Sequence, residues 1–151
     1  MLEIQNKSLY NLLLLEKYKL LKKAINELEV IKIKVEGESM LPTIKPEEVV
    51  YIASIHHYSP RVGDILLYVS KLGNLVLHRI INIKNEIFYM KGDNEDYIDE
   101  IQFNQIIGFM DMSNKENIIK ITKIFESQIG KFKIQIKINK GEFTKVQLEK
   151  M

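Results

Sequence analysis

From Val30 onward the apolar residues of this chain fall on alternate positions, and no other feature narrows the possible folds as much. Ile31, Ile33 and Val35 alternate with Lys32, Lys34 and Glu36. A side-chain period of two places such residues on one face of an extended strand. Further short runs of the same kind are Val49–Ser54, Ile65–Ser70, Leu75–Ile83, Ile87–Met90 and Gln105–Met110. Turn formers separate them: Pro46, Ser59-Pro60, Gly63-Asp64, Gly73-Asn74, Lys84-Asn85 and Gly92-Asp93-Asn94. Many short strands at this spacing predict a mostly β, coiled-sheet domain. With 46% hydrophobic and 28% charged residues the chain can bury a packed core, so disorder is not its default state. Its 151 residues suit one domain with an appendage.

The two ends differ from the middle. Leu9, Leu12, Leu13, Leu20, Leu21, Ala24, Ile25 and Leu28 recur with helical spacing, which predicts an N-terminal α-helix over residues 8–28 with Ser8 as its N-cap. The apolar stripe is expected to pack on the sheet. Its lysines Lys17, Lys19, Lys22 and Lys23 suggest a second role, contact with a partner groove or peripheral contact with a membrane surface. Near the other end, residues 115–128 are compatible with either a short helix or a strand. Phe132, Ile134, Ile136 and Ile138 then alternate strictly with polar residues, and Asn139–Glu142 reads as a turn into a last strand ending near Leu148, a C-terminal β-hairpin. That hairpin either covers the sheet edge or presents an edge that captures an extended peptide. The expected organisation is therefore an N-terminal helical segment (residues 1–29), a core (30–112) and a C-terminal β extension (113–151).

Several function classes drop out. A net charge of +2 gives no field that would gather nucleic acid. With no cysteine there is no disulfide, thiolate chemistry or cysteine zinc site. The apolar run Leu12–Leu15 falls far short of the roughly 20 residues needed to span a bilayer. Neither a transmembrane anchor nor a secretory signal is visible, so the expected location is the cytoplasm. His56-His57 would point to opposite faces of a strand, and the acidic group Asp93, Glu95, Asp96, Asp99 and Glu100 lacks calcium-loop spacing. No metal and no cofactor are expected.

The chemistry is carried by a serine. In Val35-Glu36-Gly37-Glu38-Ser39-Met40-Leu41-Pro42 a strand ends, Gly37 permits a tight bend, Ser39 follows, and Pro42 stops any helix from continuing. A nucleophilic serine needs such an exposed turn beside a base and a donor for the oxyanion. Downstream, Gly63-Asp64-Ile65 marks a turn into a strand, Leu77-His78-Arg79-Ile80 sets a histidine within a β-run, and Lys91-Gly92-Asp93-Asn94 follows another strand. In this order, over about residues 30–110, these motifs resemble the signal peptidase and LexA-like (S24/S26) superfamily of serine peptidases.

The resemblance implies a mostly β fold and peptide-bond hydrolysis. His78 stands where many members carry a lysine base, so the chain looks most like the branch with a Ser-His-Asp site, that of the endoplasmic-reticulum and sporulation-type signal peptidases. Carried over, the resemblance makes Ser39 the nucleophile and His78 its base. Asp99 becomes the orienter of the imidazole, and Asp93 a supporting partner or the fixer of the loop. The Ser39 amide is the expected oxyanion donor, and Met40 and Pro42 are the expected substrate contacts. Gly37 replaces the serine that many signal peptidases have there, which removes a side-chain oxyanion donor, and Glu47-Glu48 replaces a common Gly-Asp turn. Arg79 is expected to pair with the acidic cluster in a structural role. The function that follows is a soluble serine endopeptidase whose partner is a peptide or protein precursor, cleaved at a leader or signal-like segment. Alternatives are a LexA-like self-cleaving regulator, disfavoured by the absence of a preceding helix-turn-helix, and an inactive peptide-binding module of the same fold.

Overall fold

The structure is a computed structural model that describes residues 7–113 and 120–150. Helix α1 runs over Lys7–Leu28. It begins one residue ahead of Ser8, so Ser8 lies in the first turn and not at the expected cap position. Leu13, Leu20, Leu21, Ala24 and Ile25 are buried as the helical period requires, and Tyr18 joins them. Leu12, expected on the same face, is 51% exposed, because the stripe that meets the sheet is narrower than the leucine run. Glu29, with φ of 70°, closes the helix in the left-handed region and turns the chain straight into a strand.

Among the described residues ten strands follow: β1 (Val30–Lys34), β2 (Val49–Ala53), β3 (Ile65–Val69), β4 (Leu75–Lys84), β5 (Ile87–Lys91), β6 (Asp99–Ile101), β7 (Ile106–Met110), β8 (Lys123–Ile129), β9 (Phe132–Asn139) and β10 (Glu142–Lys150). They form one sheet in the order β6-β5-β4-β3-β7-β2-β1-β10-β9-β8. The mostly β architecture with a single N-terminal helix is the expected one. Every pairing is antiparallel except β1 with β10, which run parallel with Lys32 opposite Glu142 and Ile33 opposite Phe143.

Two differences from the sequence reading bear on the site. The acidic stretch is not all loop, since Asp99–Ile101 forms the edge strand β6 against β5, with Asp99 opposite Met90. His56 and His57 occupy a turn after β2, with their rings edge to face at 4.7 Å, and are not strand neighbours. Within the ambiguous 115–128 stretch the described part from Lys123 is strand, while residues 114–119 lie outside the described residues. The C-terminal hairpin of β9 and β10 gains β8 as a third strand.

The apolar residues form two clusters. The larger lies between α1 and the sheet and includes Ile134, Ile136 and Ile138 of β9; the smaller packs Leu66, Tyr68, Ile80, Met90 and Ile101 on strands β3 to β6. Burial of these side chains is the main stabilising term, about 1.5–3 kcal/mol for each large aliphatic residue.

Candidate active site

The segment that carries Ser39 is anchored before and after the serine. Val35 donates its N–H to the Glu48 carbonyl at 2.8 Å and accepts from the Glu47 N–H at 2.9 Å. Gly37, with φ of 78°, makes the bend that a side chain would resist. Beyond Ser39, Met40 and Ile44 are buried, and the Ile44 N–H closes a turn on the Met40 carbonyl at 2.9 Å. The Leu41–Pro42 peptide between them is cis. Ser39 itself is half-buried at the surface of this rigid turn, and no described residue accepts its N–H.

His78 arrives from the other side. It lies on β4 opposite Leu66 and is 2% exposed, the one buried polar residue among the described residues. Nδ1 sits 3.1 Å from the hydroxyl of Tyr68 on β3. That hydroxyl in turn donates to Asp99 Oδ2 at 2.7 Å. A carboxylate only accepts, so the phenol hydrogen goes to Asp99, and the phenol oxygen must then accept from Nδ1–H. Nε2 is left with its lone pair. Burial holds the imidazole pKa below its usual value of 6.5, while the charges of Asp99, Glu95 and Asp93 oppose that shift. The ring is therefore neutral at neutral pH. Burial also raises the Tyr68 phenol, with the Asp99 hydrogen bond adding to it, so the phenol keeps its proton.

The turn after β5 joins the two sides. A methyl group added at Gly92 would lie 2.7 Å from the Ser39 carbonyl oxygen and 3.0 Å from His78 Nε2, so glycine is what allows the turn to approach both. The Asn94 N–H donates to the Ser39 carbonyl at 2.8 Å, and the Asn94 side-chain amide donates to the Glu38 carbonyl at 3.1 Å. The serine segment and the Lys91-Gly92-Asp93-Asn94 motif are thus stitched together beside the imidazole. Ser39 and His78 both line an open cleft of about 820 Å³, together with Ile33 of β1, Leu75 and Leu77 of β4, and Phe143 of β10.

Of the six expected site residues, Ser39 and His78 line the same cleft, and Asp99 reaches His78 through Tyr68 and not directly. Asp93 makes no hydrogen bond to the imidazole. Its carboxylate receives Nε and Nη2 of Arg79, each at 2.9 Å, and the Thr43 hydroxyl. The Arg79 hydrogen bond holds the Asp93 carboxyl below its ordinary pKa, against a smaller opposing effect of burial. Arg79 Nη1 also donates to the Gly63 carbonyl at 2.7 Å, so this ion pair ties the 43, 63 and 93 turns to β4. Met40 contributes to the cleft floor, and its sulfur accepts the Asp93 N–H at 3.4 Å. Pro42 is exposed and is not among the lining residues.

Tyr68 is the residue sequence reasoning missed. In Ile65-Leu66-Leu67-Tyr68-Val69 it reads as one more core residue, and only its place in an apolar strand, where a buried phenol oxygen must find partners, could have drawn notice.

A mostly β domain with one N-terminal helix and this serine segment is consistent with the signal peptidase and LexA-like superfamily. Within it the chain belongs to the Peptidase S24-like family, whose model matches residues 5–111 and whose members are typically peptide hydrolases. No curated protein and no solved structure matches the chain. Strands β8 to β10 lie beyond the matched region. No helix among the described residues is long and apolar enough to cross a membrane.

Proposed function

We propose that the chain is a serine endopeptidase that cleaves a leader or signal-like segment from a peptide precursor, with Ser39 as nucleophile and His78 as base. The observation that carries this reading is the hydrogen-bonded order around the imidazole: Nδ1 is engaged by the Tyr68 hydroxyl, which in turn donates to Asp99, and Nε2 faces the turn that is bound to the Ser39 segment. A neutral imidazole with a free Nε2 lone pair is the form that general-base catalysis requires. It takes the Ser39 proton as Oγ attacks the scissile carbonyl. The Ser39 N–H is positioned on the same turn to donate to the oxyanion. The imidazolium then returns its proton to the departing amine, and water activated by the same nitrogen releases the acyl group.

The substrate side is supported by strand pairing. Leu75–His78 pair with β3 along one edge, whereas pairing of β4 with β5 begins only at Arg79. The other edge of Leu75–His78 borders the cleft, so an extended peptide can add there as a strand and bring its carbonyl toward Ser39. Apolar lining from Ile33, Leu75, Leu77 and Phe143 suits the apolar stretch of a leader segment.

A serine-directed fluorophosphonate probe tests the reading. Wild type should be labelled, Ser39→Ala should not, and short peptides carrying an apolar leader should be cut by the first alone. Equal labelling of the two proteins would remove Ser39 from the chemistry.

A further inference from the structure

We propose that Tyr68 is the residue that positions His78, its hydroxyl relaying the Asp99 carboxylate to the imidazole, so that the site is a four-membered Ser39-His78-Tyr68-Asp99 chain in place of a triad. The inference rests on the peptidase reading for its chemical meaning, but its structural content stands apart from activity.

Tyr68 is fully buried on β3, between Leu67 and Val69. A phenol oxygen there is costly unless satisfied, and it is satisfied twice, by His78 Nδ1 at 3.1 Å and Asp99 Oδ2 at 2.7 Å. These partners come from β4 and from the edge strand β6, so one hydroxyl fixes the relation of strands that are not neighbours. The Tyr68 and His78 rings meet at 68° with centroids 6.0 Å apart, and Tyr97 stands against the imidazole at 62° and 6.1 Å. The ring is therefore fixed by edges as well as by the hydrogen bond.

A tyrosine suits this place for a chemical reason. As the imidazole gains a proton at Nε2, Nδ1–H becomes a stronger donor, and the phenol passes that demand to a carboxylate that never has to leave its own position. Negative charge reaches the ring through a neutral group, which stabilises the imidazolium yet leaves the resting histidine unprotonated. Direct carboxylate contact would favour the charged resting form more strongly.

The test reads the imidazole nitrogens directly. In protein labelled with 15N-histidine, long-range proton–nitrogen correlation spectra should show His78 as the Nδ1–H tautomer, with His56 and His57 as internal references. In Tyr68→Phe, which keeps the ring and removes the oxygen, the Nε2–H tautomer should become populated. Asp99→Ala removes the acceptor of the phenol hydrogen and should shift the tautomer in the same sense, so it serves if the buried Phe variant does not fold. Each single variant should lower kcat by about 10²-fold with little change in KM, and the double variant should lose no more than the worse single. An unchanged Nδ1–H signal in the variants overturns the relay, as do kcat losses that multiply in the double variant. Should the tautomer shift as expected in a protein that no serine probe labels, the relay stands and the peptidase reading fails.

Discussion

Two aspartates from the same acidic stretch, Asp93 and Asp99, end up in opposite kinds of surroundings. Asp93 meets a guanidinium and a hydroxyl near the surface and locks three turns together. Asp99 meets a buried phenol and through it the imidazole. The difference lies in the partner and not in the carboxylate: a fixed cation makes the first a brace, and a neutral, polarisable hydroxyl links the second by hydrogen bonds to the imidazole. Charge alone would not tell them apart, and strand placement does, because Asp99 sits on β6 while Asp93 sits in the turn before it.

The comparison breaks most visibly under substitution. His78→Ala should abolish cleavage of a leader peptide while circular dichroism and thermal unfolding stay close to wild type. Asp99→Asn should follow with a kcat loss of about 10²-fold and an intact fold. Asp93→Asn should do the reverse. We expect a stability loss of about 1–2 kcal/mol, allowing for solvent screening of a partly exposed pair, with kcat within about tenfold of wild type. A collapse of kcat in the stable Asp93 variant, with Asp99→Asn active, would exchange the two roles.

Smaller effects sharpen the same contrast through pH. The folded state holds His78 below 6.5, so it refuses a proton that the unfolded chain accepts. The acid limb of kcat/KM should accordingly fall below pH 6.5, and stability should begin to decline as pH drops past that value. An acid limb at or above 6.5 would contradict the burial of the base. Asp93 titrates lower still. Its folded pKa is depressed, so its stabilisation is complete above about 3.8 and is lost as pH falls through the folded value. In Asp93→Asn that acid-dependent loss should be missing from urea titrations.

The polar residues of the site were legible to different degrees. Ser39, His78 and Asp93 sit in the short motifs Gly37-Glu38-Ser39, Leu77-His78 and Gly92-Asp93-Asn94, whose order carries the family resemblance, and Asp99 is reached only through that resemblance, by its distance from the Gly-Asp-Asn turn. Tyr68 has no such marker, because an aromatic residue in an apolar strand is ordinary and its hydroxyl partners come from β4 and β6. The strands from β1 to β5 and β7 were visible in the alternation and the turn residues between them. The three residues of β6 were not, since Asp99 and Glu100 look solvated and only pairing with β5 makes them a strand. Leu12 misleads in the opposite direction: periodicity places it near the buried stripe, but the stripe is narrower than the run of leucines. No local pattern announces the parallel pairing of β10 with β1, whose partners stand at opposite ends of the chain.

That parallel pairing has a consequence for the cleft. Glu142, Phe143 and Thr144 line the cleft beside the strand that leads to Ser39. One wall of the cleft is therefore built by β10, outside residues 5–111 that the family model matches, so the groove beside Ser39 depends on a strand the shared core does not supply.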